Sequence, residues 1–192
     1  MKKIIDKILE FNGPVENYKQ SGLTLVYLSK ELKEDRNIVF PDNVAHAFFA
    51  PATDESILTL EKENQHQFPE VYKELIKECN GFSLESGCLS LFGLPLGLWE
   101  GFSQKEKAFF GMDVIYINQS YAPRKIANKY FIIGRDYYNG NWIGINDNKI
   151  HVINKYGKLL GEVDFIAEIL ESVEEYSRNA EETIAYIKDQ YK

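Results

Sequence analysis

The chain has 192 residues and a formal net charge of −7, and 44% of its residues are hydrophobic. That is enough apolar material for the core of one ordinary domain, so the composition excludes a disordered chain. Two cysteines cannot supply a disulfide framework, no apolar run approaches a membrane span, and no leader-like N-terminal pattern is present, so we expect a cytoplasmic protein.

The negative charge is concentrated near the C-terminus. Residues 162 to 182 contain eight acidic residues and one arginine, which gives −7, the net charge of the whole chain. The remainder is balanced, with 21 acidic and 21 basic residues. A chain without a general cationic surface is a poor candidate for direct nucleic-acid binding.

The N-terminal third predicts two helices and one strand. "KKIIDKILEFNG" has the pattern of an amphipathic helix, with four apolar residues facing inward: Ile4, Ile5, Ile8 and Leu9. "LTLVYL" predicts a strand. "PATDESILTLEKENQHQ" predicts a second helix, with Thr53 or Asp54 as its N-cap.

The stretch "FPEVYKELIKECNGF" predicts a third helix, which begins at Pro69 and ends at Gly81. Cys79 falls on its apolar stripe, after Lys77 in the last turn. A thiol buried in apolar surroundings has a raised pKa and is a poor nucleophile. We therefore interpret Cys79 as a structural residue and not as a catalytic one.

The second half of the chain predicts short antiparallel strands followed by a helix. The strand candidates are "GCLSLFGLP", "GMDVIYIN", "KYFIIGRD", "NWIGIND" and "KIHVINKYG". Asn139-Gly140 and Asp147-Asn148 stand where hairpin turns belong. From Asp164 the pattern becomes helical, with acidic residues on the outer face. The sequence thus predicts a single α+β domain, in which an antiparallel sheet of short hairpin-linked strands is packed by N-terminal helices and a C-terminal amphipathic helix.

Two stretches of this chain are similar to a known family. "FFAPATDESILTLEKENQHQFPEVYKELIKECNG" and "KYFIIGRDYYNGNWIGINDNKIHVI", with "EVDFIAEILESV" after them, resemble the SUKH superfamily, the Smi/Knr-type domain, over about residues 48 to 176. The resemblance implies residues 48–192 as the SUKH-like domain with an extended C-terminal helix. Residues 1–47 would form an N-terminal extension, a helix plus a strand, packed on that domain. The residues that match the motifs, and so have implied structural roles, are Pro69, Tyr72, Asn80, Gly81, Gly134 and Gly140; the structural role of Cys79 follows from its place on the apolar stripe of its helix.

The same resemblance implies a function without catalysis. Most bacterial members of the superfamily look like immunity proteins that neutralise toxins, often nucleases or deaminases, and a largely fungal branch is regulatory. We expect an immunity protein that occludes the active site of a cognate polymorphic toxin, acting as a monomer or weak dimer without a cofactor and without membrane contact. The alternative is an intracellular regulatory or scaffold protein of the Smi/Knr type.

An uncharacterised enzyme is a distant third interpretation. None of the histidines, His46, His66 and His151, has the spacing to a second ligand that a zinc site needs. The best remaining catalytic set is Cys88 with His151 and an acid such as Asp136, and no local signature supports it. We therefore predict neither a metal site nor catalytic residues.

Two surfaces are candidates for partner binding. The first is the hairpin "RDYYNGNWIGIND", whose candidate contacts are Asp136, Tyr137, Tyr138, Trp142 and Asp147. Strand alternation places Tyr138 on the same face as Asp136, whereas Trp142 also fits an inward-facing core position. The second is the acidic C-terminal helix, with Glu171 and Glu175. Its simpler interpretation is the solvated face of an amphipathic helix.

Overall fold

The strands of the computed structural model form one continuous meander. The structure describes residues 2–9, 13–28, 44–95, 102–104, 106 and 113–190. Within them, nine strands pair in sequence order, each antiparallel to the next. They are β1 Val15–Tyr18, β2 Leu23–Tyr27, β3 Val44–Phe49, β4 Phe82–Leu84, β5 Leu89–Leu91, β6 Phe131–Asp136, β7 Asn141–Asn146, β8 Lys149–Ile153 and β9 Leu159–Glu162. The predicted α+β class with hairpin-linked strands is confirmed.

Helices flank this sheet at both ends of the chain and between its strands. The helices are α1 Lys2–Leu9, α2 Asp54–Asn64, α3 Glu70–Glu78, α4 Val114–Tyr116, α5 Arg124–Ala127 and α6 Phe165–Gln190. Thr53 is the N-cap of α2, where its hydroxyl and that of Ser56 each accept a hydrogen bond from the other residue's backbone N–H at 3.1 Å. Among the described helices, none has both the length and the apolar content to cross a bilayer.

The main core lies between the sheet and the helices. Helix α6 contributes three buried side chains, Phe165, Ile169 and Val173, and α1 contributes Ile4 and Ile8. A separate cluster on β2 and β3 is also buried and consists of Leu23, Leu25, Val44, Ala47 and Phe49. Burying each such side chain stabilises the fold by about 1.5–3 kcal/mol, so the docking of α6 rests on these apolar contacts.

The N-terminal strands join the same sheet as the rest of the chain. Strand β3 pairs with both β2 and β4, and the predicted boundary at residues 47 and 48 falls inside it. Strand β3 is hard to predict from the sequence, because all six of its residues are buried and its side chains show no polar alternation. Strand β1 was missed for the opposite reason, since it is short and largely exposed.

The prediction of a strand at "GMDVIYIN" is wrong, because the described part of this stretch forms helix α4 and the start of a π-helical turn, Ile117–Tyr121. The carboxylate of Asp113 caps the helix by accepting hydrogen bonds from the backbone N–H groups of Ile115, at 2.7 Å, and Tyr116, at 3.4 Å. The Asn118 carboxamide then accepts a hydrogen bond from the Ile132 backbone N–H at 2.7 Å and donates one to the Ile132 carbonyl at 2.8 Å. A cap therefore overrides the β propensity of the apolar run.

Cys79 lies just beyond the helix in which we predicted it. Helix α3 ends at Glu78, and Cys79 is extended, with φ −161°. Its Sγ atom lies 3.3 Å from the Phe49 carbonyl oxygen and 3.2 Å from that of Gly81. Burial raises the pKa of this thiol to about 12, so it stays protonated at neutral pH.

Several residues that match the family motifs make specific buried contacts. The Tyr72 hydroxyl donates to the Phe92 carbonyl at 2.8 Å. The Asn80 carboxamide accepts from the Leu94 N–H at 2.8 Å and donates to the Leu94 carbonyl at 3.3 Å, as a neighbouring strand would. Pro69 directly precedes α3. These contacts tie the end of α3 to the segment after β5.

Two glycines of the motif set occupy positions that exclude a side chain. Gly81 has φ +92°, and a Cβ there would lie 2.9 Å from the Gly93 nitrogen. At Gly134 a Cβ would lie 2.5 Å from the Ser90 carbonyl oxygen on the paired strand. Gly140 lies in the β6–β7 turn with φ +72° and open space around it. Glycine is favoured there because the turn needs a positive φ, and not because a side chain would clash with a neighbouring atom.

We predict that Asn80→Ala lowers the free energy of unfolding by about 2–4 kcal/mol, because it leaves a buried N–H and a buried C=O of Leu94 without a partner. Urea denaturation measures the loss. Asn128→Ala is the matched control, since Asn128 is exposed and should change stability by less than about 0.5 kcal/mol. Equal effects of the two substitutions would contradict this role of Asn80.

Candidate partner-binding site

A cleft of about 300 Å³ lies where two turns of the sheet meet helix α6. One wall is the short 3₁₀ turn Glu85–Gly87, the second is the β6–β7 turn, and the third is α6. Its polar lining consists of Glu85, Cys88, Asp136, Tyr138, Asn139, Glu168 and Ser172, and its apolar lining of Leu89, Ile143, Val152, Phe165 and Ile169. We call this site the acidic cleft.

Glu85 is the most constrained carboxylate of the acidic cleft. Its backbone has φ +53°, an unfavourable conformation for a residue other than glycine. The Ser172 hydroxyl donates to its Oε1 atom. Burial raises the pKa of Glu85 even so, and the nearby charges of Asp136 and Glu175 raise it further. Ionisation of Glu85 therefore destabilises the folded protein.

A buried histidine behind Glu85 supplies no compensating charge. The Nδ1 atom of His46 accepts a hydrogen bond from the Glu85 backbone N–H at 3.3 Å. The imidazole packs edge to face against Tyr176 of α6, with ring centroids 5.2 Å apart. Burial lowers the pKa of His46 to about 3, so the ring is neutral at physiological pH. His46 thus supports the wall of the cleft without offsetting its negative charge.

The pKa values of two other groups in the cleft, Glu168 and Cys88, are raised as well. Burial raises the pKa of Glu168, with further contributions from Asp164 and Glu171. Burial also raises the pKa of the Cys88 thiol, and the charges of Glu85 and Asp136 add to this shift. All these shifts indicate a negative potential at a partly desolvated site.

The carboxylates of the cleft have no basic partner in the part of the chain that the structure describes. The ion pairs found there join Lys73 to Glu61 and Glu70, Lys77 to Asp54, and Lys149 to Glu162. No Lys, Arg or His nitrogen of the described residues lies within 4.0 Å of a carboxylate of Glu85, Asp136, Glu168 or Glu175. The acidic cleft therefore presents charge that the described fold leaves unneutralised.

The β6–β7 turn holds one carboxylate at the mouth of the cleft. Asp136 accepts hydrogen bonds from the Asn139 backbone N–H at 3.0 Å and from its carboxamide at 2.8 Å, which fixes the carboxylate orientation. Tyr138 stands beside it with 85% of its side chain exposed. An exposed tyrosine next to an oriented carboxylate has the character of a binding contact.

The structure brings together parts of the two surfaces that the sequence suggested as separate candidates. Asp136 and Tyr138 of the hairpin line the acidic cleft opposite Glu168 and Ser172 of α6. Glu175 is exposed, one helical turn after Glu171, and it acts on Glu85. The hairpin and the acidic helix thus border a single site.

Other residues of the predicted hairpin surface lie elsewhere. Trp142 is only 4% exposed, as expected for a core residue. Tyr137 lies on the same side of the sheet as Trp142, which is the side away from the cleft. Asp147 lies in the β7–β8 turn, with the six residues of β7 between it and the β6–β7 turn. That separation is about 20 Å at the rise of a β-strand. Asp136 and Asp147 therefore cannot contact one side chain of a partner together.

Asp147 borders a different and larger groove, of about 870 Å³. Eight of its 19 lining residues are neutral amides: Asn64, Gln65, Gln67, Asn118, Gln119, Asn128, Asn146 and Asn148. Size alone would favour this groove over the acidic cleft as the partner-binding site. We favour the acidic cleft because its unneutralised carboxylates can select a partner by charge, whereas neutral amides select less strongly.

The catalytic set considered from the sequence is not assembled. Cys88 and Asp136 both border the cleft, but His151 alternates with Val152 on β8 and faces the other side of the sheet. There it packs edge to face on Tyr130, with centroids 5.6 Å apart. Within the described ranges, no three side chains of His, Cys, Asp or Glu are grouped as metal ligands.

Sequence reasoning did not single out Glu85, which the structure places at the centre of the cleft. One signal was present: an acidic residue in "LESG" interrupts two apolar strands just before a glycine. Its meaning depends on the contact with Ser172, which is 87 residues away. A contact of that sequence separation cannot be inferred from local pattern.

Comparison with known proteins identifies the family of this chain. A family model described as the SMI1 / KNR4 family (SUKH-1) matches residues 51–182, which is more than half of the chain. The chain belongs to this family. No curated protein and no solved structure gives a significant match. The suspected SUKH relationship is therefore confirmed, and the site is interpreted from its own geometry.

We predict that Glu85→Gln stabilises the free protein at pH 7, by up to about 1 kcal/mol after allowance for solvent screening. The folded-state pKa of Glu85 is raised, so its ionised form destabilises the fold above that pKa. As the pH falls through the folded and then the unfolded pKa, this penalty disappears, and the gain from Glu85→Gln should vanish near pH 4.

Urea denaturation at pH 7 and pH 4 measures this gain. Glu182→Gln is the control, because it removes an exposed charge of α6 outside the residues that line the cleft and should alter stability little at either pH. A Glu85→Gln variant that is less stable than the parent at pH 7 would show that repulsion does not dominate at this site.

Proposed function

We propose that this member of the SMI1 / KNR4 family (SUKH-1) is an immunity protein that binds a cognate toxin through the acidic cleft and occludes the toxin's active site. The observation that carries the proposal is a set of three carboxylates, the half-buried Glu85 and Asp136 and the exposed Glu168, which lack basic partners among the described residues and lie beside an exposed tyrosine. Family membership supports a role in protein binding.

The chemistry of the cleft favours a cationic side chain as its occupant. An arginine or lysine placed between Glu85, Asp136 and Glu168 would relieve the repulsion between Glu85 and Asp136 and gain charge-assisted hydrogen bonds. The apolar floor formed by Ile143 and Ile169 suits the methylene stem of such a side chain. A volume of about 300 Å³ is at the lower limit of ligand pockets, which fits a side chain better than a large cofactor.

A toxin that acts on nucleic acid or nucleotides would supply the complementary surface. Nucleases and deaminases of nucleic acids bind phosphates with basic residues near their active sites. A protein whose excess negative charge is grouped in its C-terminal helix and the residues just before it would steer toward that surface. Occupation of the acidic cleft by a substrate-binding arginine or lysine of the toxin would then exclude the substrate.

The regulatory alternative uses the same binding chemistry with a different partner. A Smi/Knr-type scaffold also needs one specific surface, and the acidic cleft would serve it equally well. The gene neighbourhood separates the two roles. An adjacent toxin gene whose product this chain neutralises favours immunity, whereas an endogenous partner that is lost when the cleft is changed favours regulation.

We predict that the double substitution Asp136→Asn with Glu168→Gln weakens binding to the cognate toxin by at least about tenfold. Asn at 136 can still accept the turn hydrogen bond from the Asn139 N–H, so the fold is retained. The matched control is Glu181→Gln with Glu182→Gln, which removes two exposed charges from the same helix, and should weaken binding less than about threefold.

Surface plasmon resonance with a catalytically inactive toxin measures both variants, and co-expression with the active toxin measures protection of growth. The association rate of the parent should fall steeply between low and high salt, since exposed charges are screened beyond about 8–10 Å at physiological ionic strength. Equal weakening by the two double variants would mean that total charge, and not the acidic cleft, sets the affinity.

A further inference from the structure

An arginine lies on the face of the sheet opposite the acidic cleft, supported by aromatic rings. The Cζ atom of Arg135 is 4.6 Å from the ring centroid of Trp142 and 4.8 Å from that of Tyr137. One terminal nitrogen lies 3.5 Å from the Tyr121 hydroxyl oxygen. The ring of Tyr121 packs edge to face on Trp142, with centroids 6.1 Å apart. We call Arg135 with these three rings and Tyr116 the Arg135 platform.

A π-helical turn builds one side of the Arg135 platform. The Ala122 N–H donates to the Ile117 carbonyl at 2.9 Å, five residues back, which is the π-helical spacing. The wider turn aligns Tyr116 with Tyr121, and their rings stack with centroids 6.4 Å apart. A regular α-helix aligns residues three or four apart, so this arrangement depends on the π turn. Such turns are frequent at functional sites.

The guanidinium of Arg135 is not fully satisfied by the described part of the protein. Its Nε atom is buried without a hydrogen-bond partner, and no carboxylate of the described residues lies within 4.0 Å of its nitrogens. The rings stabilise the cation and hold it flat, but they do not replace a bidentate acceptor. A planar arginine that is already immobilised loses little entropy when it binds a carboxylate.

The Arg135 platform is exposed and has the composition of a binding hot spot. Tyr116, Tyr121 and Tyr137 are 54%, 44% and 38% exposed, around a tryptophan that is buried. Tyrosine, tryptophan and arginine are the residues most enriched in interface hot spots. Three tyrosines that remain this exposed around one cation are poorly explained by core packing.

The Arg135 platform and the acidic cleft share one hairpin. Arg135 and Tyr137 lie on one face, while Asp136 and Tyr138 serve the cleft on the other. A partner that encloses the tip of the β6–β7 turn would therefore meet a cation on one side and carboxylates on the other. Such a partner needs its own carboxylate opposite Arg135.

We infer that the Arg135 platform accepts a carboxylate from the same protein partner and acts as a specificity determinant. This identification of the partner rests on the proposed function, whereas the carboxylate site does not. A basic partner without an acid at this position would remove water from the Arg135 guanidinium and leave that cation without a counter-charge. This costs binding free energy, so such a partner binds more weakly. The acidic cleft attracts basic proteins in general, and Arg135 selects among them.

A carboxylate fits this site better than a nucleic-acid phosphate does. The chain carries a net charge of −7, so the protein as a whole would repel a polyanion. A single carboxylate within an otherwise basic partner avoids that repulsion and can form the two parallel bonds that a guanidinium offers.

Peptide probes can test the Arg135 platform on the full chain. The probes are N-acetyl-Glu-Glu-amide, its neutral match N-acetyl-Gln-Gln-amide, and inorganic phosphate, each titrated while the Arg135 Nε–H and the Trp142 indole N–H are followed by NMR. We expect saturable shifts of both signals with the Glu peptide and at least fivefold weaker responses to the other two probes. Equal responses to the Gln peptide, or a stronger response to phosphate, would overturn the inference.

Variants locate the effect at the platform. Arg135→Lys keeps the charge but loses the planar fork, and it should weaken Glu-peptide binding at least fivefold. Arg124→Gln is the control, since Arg124 is exposed, makes no ring contact in the described structure, and should leave binding within twofold. Tyr121→Phe removes only the hydroxyl and should weaken binding about twofold without threatening the fold. Equal losses for Arg124→Gln and Arg135→Lys would contradict a specific site.

A third peptide distinguishes this inference from the proposed function. N-acetyl-Lys-Lys-amide should shift the backbone signals of Glu85 and Asp136 and leave the Arg135 Nε–H unchanged. Failure of the Lys peptide alone would count against the acidic cleft and the proposed function. Failure of the Glu peptide alone would count against the Arg135 platform and leave the acidic cleft intact.

Discussion

The docking of helix α6 on the sheet is the contact on which the acidic cleft depends. Phe165, Ile169 and Val173 are buried against the sheet, and this spacing turns Glu168, Ser172 and Glu175 toward the two turns. Apolar burial thereby holds Glu175 close enough to Glu85 for the two charges to repel each other, and it holds Glu168 in the lining of the cleft. The helix stays docked because the free energy gained by burying its apolar side chains exceeds the free energy lost to charge repulsion.

That balance connects stability to function. A site whose charges repel in the free protein is relieved when a cation enters, so part of the binding free energy is already present as strain in the unbound state. The buried, neutral His46 is consistent with this arrangement, because it supports Glu85 without neutralising it. Substitutions that remove the repulsion are expected to favour the free protein at the expense of binding.

Much of the fold follows from local patterns in the sequence. The helices around Leu58 and Leu75, the C-terminal helix and the hairpin turn at Asn139-Gly140 follow from periodicity, capping and turn chemistry. Strand alternation correctly separated Tyr137 from Tyr138. Those inferences succeeded because each depends only on neighbours in the chain.

Features that depend on distant contacts were missed. The run at Val114 resembles a strand, but the Asp113 cap and the bonds of Asn118 to β6 make it helical. The role of Glu85 requires Ser172 and His46, which lie far from it in sequence. The sequence also grouped Asp136 with Asp147, although the length of β7 keeps the two carboxylates apart.

Hydrogen–deuterium exchange of the protein, free and bound to the cognate partner that the proposed function requires, tests most directly whether the acidic cleft is the binding site. If the partner occupies the acidic cleft, amide exchange slows in the turns at 85–88 and 137–140 and in the first half of α6, with little change around Asp147. Protection confined to the amide-lined groove at the other end of β7, with unchanged exchange at the cleft, would contradict this expectation.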